Sequence, residues 1–244
     1  MSVCKVVKNN LSKFLDLLSL KGELENKTIL LHIIDGSMKA PFILTESKVL
    51  AIRGSFKDEN LTKLGEICIN DTRLLKSFIN TFSSKEITLA KKTNKLVLSS
   101  SKESLKISVV LRNPQYVKDS LPKGKSFDDT LKLISDNTFT LTKEQIDRIT
   151  KNTSVINAKD LILEGKDNKV ILNLESNENQ LSEEFKISEK IEPFKIKLNS
   201  FIIDLLSIIN EDVIMSAKDN SAIYIVVKNE CYEVEYVLAS LKVD

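Results

Sequence analysis

The sequence predicts an α+β fold of two similar halves, each built from two strand–helix–three-strand units. Three observations carry this. First, Ile67-Cys68-Ile69 alternates as a strand, and Asn70-Asp71 then gives a helix N-cap signal. Leu74, Leu75, Phe78, Ile79 and Phe82 follow at helical spacing, and residues 87–89, 96–98 and 105–109 alternate as strands. Second, the same grammar recurs about 130 residues later, the mark of an internal duplication. Third, the step from a helix start to the next strand is 18 positions in both halves, from Asn10 to Thr28 and from Thr142 to Asp160.

Taken in order, Val3 to Val7 reads as a strand. Asn9 or Asn10 caps a helix with Leu11, Phe14, Leu15 and Leu18 on one face, and Gly22 is its expected stop. Residues 28–34 are β-rich, Asp35-Gly36 is a hairpin turn signal, and 42–44 and 49–52 continue as strands. The second half opens with the strand Phe139-Thr140-Leu141. Thr142 and Gln145 form a capping box for a helix with Ile146 and Ile149 inward. Separate strands are expected at 160–164, 169–174, 185–188 and 196–198. Asn199 then caps a helix with the face Ile202, Leu205, Leu206 and Ile209, followed by strands at 213–215, 223–225 and 232–238. The expected domains are 1–113 and 137–244. Between them, 114–136 holds Pro114, Pro122 and Gly124 with isolated large apolar residues, and reads either as a plain tether or as a partly ordered strap.

A length of 244 residues suffices for two ordinary domains with their own cores. No apolar run approaches membrane-spanning length, and residues 1–10 do not read as a signal peptide, so the expected setting is soluble and intracellular. Cys4, Cys68 and Cys231 sit in apolar, strand-like contexts without metal-ligand spacing and are expected as buried reduced thiols. The net charge of +2 conceals an asymmetry. Residues 1–113 carry 19 Lys/Arg against 11 Asp/Glu, a net of +8, whereas 137–244 carry 13 against 19, a net of −6. Such halves suit separate partners or head-to-tail self-association. His32, the one histidine, lies in an apolar run and reads as a structural strand residue. Asp128-Asp129 reads as a solvated acidic patch. No phosphate-binding glycine loop, hydrolase elbow or zinc motif occurs, so neither an enzyme, a metal nor a cofactor is expected.

Four such units in two domains with a long connector resemble the DNA sliding clamp family, including the subunits of proliferating cell nuclear antigen and the phage clamps. The most specific piece is Glu235-Tyr236-Val237-Leu238-Ala239-Ser240-Leu241-Lys242, which looks like the family's last strand and tail, with Ser-Leu standing in place of Leu-Ala-Pro-Lys's proline. The resemblance implies the DNA-clamp fold and a homotrimeric ring, sheets outside and helices lining the hole. It implies a processivity factor that tethers DNA polymerase and other proteins, bearing short clamp-binding peptides, to double-stranded DNA after a clamp loader has placed it. The alternative is a clamp-fold monomer that never closes, acting as a processivity factor or transcription-factor scaffold.

Within that picture three groups of residues are expected to act. Lys8, Lys13, Lys21, Arg73, Lys76, Lys143, Arg148 and Lys151 lie off the apolar stripes of their helices and would face DNA, although an ordinary solvated face carries lysines too. The fourth helix offers only Asp204 and Ser207. By resemblance, a partner-peptide pocket would combine Met38, Ala40, Pro41, Leu121, Phe127, Ala239 and Leu241. Also by resemblance, subunits would join through Lys106, Ile107, Val109 and Arg112 on one edge and Glu183, Glu184, Phe185 and Ile187 on the other.

Overall fold

The computed structural model describes residues 3–20, 28–45, 49–120, 126–132, 134, 137–158, 160–176, 179–199 and 201–241. The chain divides into two compact units. The first holds residues 1–46, 53–125 and 229–234; the second holds 47–52, 126–228 and 235–244.

In the first unit, β1 (Val3–Val7), α1 (Lys8–Ser19), β2 (Ile29–Ile34), β3 (Ser37–Leu44) and β4 (Leu50–Lys57) make one repeat. A second follows in β5 (Gly65–Ile69), α2 (Thr72–Asn80), β6 (Glu86–Lys92), β7 (Lys95–Ser100) and β8 (Glu103–Val110). Strands β1-β6-β7-β8 form one antiparallel sheet, and β5-β2-β3-β4 lie in that order in another. The Asp35-Gly36 turn joins β2 to β3, with Gly36 at φ +70° and Ile34 facing Ser37. Asp71 caps α2 as the sequence suggests, its carboxylate accepting from Leu74 N–H at 3.0 Å. The cap expected at Asn9 or Asn10 is not used. β1 runs straight into α1, and Lys8 N–H donates instead to the Lys85 carbonyl at 2.9 Å. α1 ends at Leu20 in the left-handed region, which keeps that side chain in the core; Gly22 lies outside the described residues. Phe14 and Leu18 pack beneath Phe56 and Gly54, the Phe14 and Phe56 rings 5.6 Å apart. Full burial of each such side chain contributes about 1.5–3 kcal/mol. The connector opens as a short helix, α3 (Pro114–Ser120), whose Val117 is buried with Leu30 and Cys68 and whose Lys118 pairs with Glu66 at 2.6 Å.

The second unit contains α4 (Phe127–Leu131), β9 (Thr138–Leu141), α5 (Lys143–Ile156), β10 (Asp160–Glu175), β11 (Gln180–Leu198), α6 (Phe201–Leu206), β12 (Val213–Lys218), β13 (Ala222–Lys228) and the larger part of β14 (Tyr232–Ala239). Its strand order β14-β13-β12-β9 matches β8-β7-β6-β1. The Thr142–Gln145 capping box forms in both directions, and Asn199 Oδ1 accepts from Phe201 N–H at 3.1 Å at the head of α6. The four strands expected between 160 and 198 are corrected to two. Residues 160–175 pair along their length with 180–198, as one irregular ribbon with register shifts around Asp167. Phe194 fits over Gly165 and stacks on Phe139 at 5.7 Å, which leaves no room for a side chain at position 165.

The three thiols are free. Cys4 and Cys68 are buried, and burial pushes the Cys4 thiol up to about 11. Cys231 differs from the expectation. It is half-buried in the β13–β14 turn, because Asn229 Oδ1 accepts from the N–H groups of Cys231 and Tyr232 and bends the chain there. Asp129, expected in an acidic patch, is a capping residue of α4: Lys132 and Ser126 hold its carboxyl down at about 2. The packing at Gly165 yields a test. Gly165→Ala would place Cβ 2.7 Å from Ile191 Cδ1 and closer still to the wedged Phe194 ring. It should destabilise the second unit by about 1–3 kcal/mol in urea titration, with Ser or larger residues worse.

Candidate nucleic-acid interface

In the first unit, α1 and α2 bury Leu11, Phe14, Leu15 and Leu18 and Leu75 and Ile79. What remains outward on α2 is Arg73, Leu74, Ser77 and Asn80. Lys8 is half-buried, its Nζ donating to the Phe82 carbonyl at 2.8 Å just past the end of α2. Lys13 is half-buried on α1. Lys76 forms an ion pair with Asp16 at 2.6 Å, their side chains 29% and 14% exposed, so α1 and α2 are tied across their flank. Lys21 lies outside the described residues.

In the second unit, Lys143, Arg148 and Lys151 are exposed on α5, interleaved with Glu144 and Asp147. Arg148 pairs with Glu183 of β11 and lies 5.7 Å from the centroid of the Phe185 ring. Asn152 donates to the other oxygen of the same carboxylate. α6 carries Asp204 and no cation. Thus Lys8, Lys76 and Arg148 are engaged within their own units, two of them by carboxylates. Sequence reasoning missed Asp16 and Asn152, whose partners lie on other elements and leave no trace in local spacing.

Many of the expected pocket and edge residues are likewise engaged within their own units. Met38 and Ala40 alternate with exposed Lys39 and Pro41 along β3, so both point into the core; Met38 lies among Leu11, Leu15 and Leu75. Leu121 lies outside the described residues. In the second unit Phe127 is buried, while Ala239 and Leu241 are half-buried and bonded through their N–H groups to Val49 at 2.9 Å and Lys197 at 2.7 Å. Of the expected edge residues, Phe185 and Ile187 are buried in the second unit's own core, and Glu183 is committed to Arg148 and Asn152. Glu184 pairs with Lys169 at 2.9 Å across the ribbon. On β8, Val109 is buried, Ile107 half-buried and Lys106 exposed; Arg112, just beyond, stacks over the Tyr116 ring at 4.8 Å.

The edge of β8 holds more than the expected residues. It ends its sheet, and it exposes Leu105 by 38% and Val110 by 63%. The run Val109-Val110-Leu111 could have signalled this, since consecutive apolar residues on a strand must put one outward. A cleft of about 610 Å³ opens where the β10–β11 ribbon is irregular. Its lining charges are largely spent on each other: Lys195 pairs with Glu164 at 2.8 Å, and its N–H donates to Asp219 at 2.7 Å. Among the described residues no cluster of His, Cys, Asp and Glu could hold a metal ion, and no helix is long and apolar enough to cross a membrane.

No family model matches the chain, and no curated protein matches it in sequence. Solved structures do match. The chain is similar to the proliferating cellular nuclear antigen of Entamoeba histolytica, with a TM-score of 0.78 over 98% of both chains at 13% identity. It is similar to A. fulgidus PCNA, solved with the C-terminal region of FEN-1 bound, with a TM-score of 0.79 over all of both chains at 10% identity. A putative DNA polymerase III beta subunit from Eubacterium rectale matches with a TM-score of 0.77 at 14% identity, this whole chain spanning 66% of that one. The chain has the sliding-clamp fold.

Proposed function

We propose that this chain is a DNA sliding clamp: three copies close head to tail around duplex DNA and tether a DNA polymerase and other DNA-processing proteins, after a clamp loader has opened the ring. It carries out no reaction itself. The observation that supports this best is a contrast between β8 and β14, the last strands of their repeats. β14 is buried over most of its length. Backbone bonds beside it run from Lys57 N–H to the Cys231 carbonyl at 2.7 Å in the first unit and from Ala239 N–H to the Val49 carbonyl at 2.9 Å in the second. β8, in the same position, has no strand on its outer edge among the described residues. A bare apolar edge invites pairing, and a second copy is the natural cover. Unlike edges meeting head to tail make a heterologous contact, which closes into a ring when the rotation permits. The first half of β11 suits the receiving role, with Ser182, Glu184, Lys186 and Ser188 on its exposed side. The opposite charges of the two halves would aid encounter more than affinity.

The helices would face the duplex. A modest charge there suits sliding, because each phosphate contact is nonspecific and adds salt dependence. Partner peptides would dock elsewhere than Met38 and Ala40; the FEN-1 segment bound to the A. fulgidus protein is the kind of ligand to expect.

Three outcomes test the proposal. Protein loaded on a closed DNA circle should stay bound through gel filtration and leave when the circle is cut. Persistence on the cut form would overturn the ring. Next, Leu105→Asp with Val110→Asp alters side chains already exposed in a single chain, so folding stability should hold within about 0.5 kcal/mol. Light scattering should nevertheless show the mass fall from three chains to one. A wild-type protein of one-chain mass at every concentration would select the clamp-fold monomer instead. Finally, Asp16→Asn releases Lys76 and should steepen the salt dependence of duplex binding by up to about 0.9 in the log–log slope.

A further inference from the structure

We propose a second DNA-binding surface on the side of the β1-β6-β7-β8 sheet that faces away from α2. Strand alternation and register place its residues. Lys5 faces Thr88, Thr88 faces Ser99, and Ser99 faces Lys106, a row that begins and ends in a lysine with two hydroxyls between. The row spans about 14 Å, three inter-strand spacings. On the same face, about 13 Å further along the strands, Lys92 stands directly opposite Lys95. All four lysines are exposed, and none has an ion-pair partner among the described residues. Glu86, opposite Val7 in the next row, is the one acid on this face of β1, β6 and β7.

Two further observations bear on this face. Like charges directly across a strand pair are destabilising, so Lys92 opposite Lys95 works against the sheet and calls for an outside anion. The repeat also supplies an internal comparison. The matching rows of β9, β12 and β13 hold Ile214, Val226 and Tyr224, the last donating to Glu235 at 2.7 Å; Lys218, the counterpart of Lys92, stands opposite Ala222, so no lysine faces a lysine there. The paired lysines are therefore a property of the first unit and not of the fold.

The occupant is the sugar-phosphate backbone of duplex DNA. Between the lysine rows Ala90 and Val97 are only 7% and 4% exposed, and the exposed apolar residues of this face, Val3, Val7 and Val110, stand apart on its edge strands β1 and β8, so it offers no apolar cluster as an anchor. A protein partner draws most of its affinity from such anchors. Phosphates need only cations and hydroxyl donors, which this face supplies. A duplex presents about eight phosphate charges over the 14 Å that the lysines frame. The choice of DNA among nucleic acids rests on the sliding-clamp reading, and the bound segment would be separate from the one encircled.

The test uses the full chain and a fluorescent linear duplex of about 20 base pairs, with anisotropy followed between about 50 and 200 mM salt. The variant Lys5→Ala, Lys92→Ala, Lys95→Ala leaves Lys106 and the helices intact. It should weaken binding about tenfold at low salt and reduce the log–log salt slope by about 2–3, near 0.9 for each phosphate no longer neutralised. Retention on a closed circle should stay at the wild-type level. An unchanged slope would overturn the proposal. So would a polyglutamate peptide that binds the wild type more tightly than the duplex and loses that binding in the variant, which would assign the face to an acidic protein. Retention on the circle reports on ring closure alone, so its failure in the wild type would strike the clamp reading while the slopes still decide this one.

Discussion

Backbone hydrogen bonding at the rims of the sheets is the constraint on which the rest of this structure depends. Each strand rim carries donors and acceptors that must find water or a partner. The chain meets this demand with its own segments in several places. Leu241 N–H bonds to the Lys197 carbonyl at 2.7 Å, and Ser240 N–H bonds to the Ser221 carbonyl at the same distance, which fastens the tail to the ends of β11 and β13. Arg112 N–H bonds to the Cys68 carbonyl at 3.0 Å, which turns the chain out of β8 and delivers Val117 to its apolar seat. Side-chain burial then follows from strands already fixed in register.

Charge is arranged under a second constraint. Each unit sets a carboxylate against a helical cation, Asp16 against Lys76 in one and Glu183 against Arg148 in the other. A partly shielded cation held this way is a poorer phosphate ligand than a free one, since an incoming phosphate must compete with a carboxylate already in place. Pairs of this kind at the protein–water boundary add little to stability, on the order of 1 kcal/mol. Their larger effect is on the field that the helices present.

Much of the fold was legible because its signals are local. The Thr142–Gln145 box and the Asp71 cap bond within three positions of themselves, and the Asp35-Gly36 turn joins the paired neighbours Ile34 and Ser37, so spacing alone reveals them. The union of 160–164 with 169–174 was hidden because it depends on a shared partner strand, not on anything between the segments. Among the candidate site residues, the cations of α5 were placed on the exposed side, as helical periodicity requires. Met38 and Ala40 lie on the buried side of β3, which strand alternation with Lys39 and Pro41 already marked and which family likeness alone does not reveal. The engagement of Glu183 was out of reach, since its partner Arg148 lies 35 positions away on another element.

The first compact unit includes residues 229–234, from near the far end of the chain. Lys57 N–H finds its acceptor there, at Cys231, and Asn10 donates to the sulfur of the same residue at 3.1 Å. During synthesis, then, the amino-terminal unit must wait. Its sheets can collapse as they leave the ribosome, but β4 keeps an open rim until residues 229–234 have been translated. Over that interval the nascent chain carries an adhesive strand edge, the situation in which chaperones are most needed and in which separately expressed halves are least soluble.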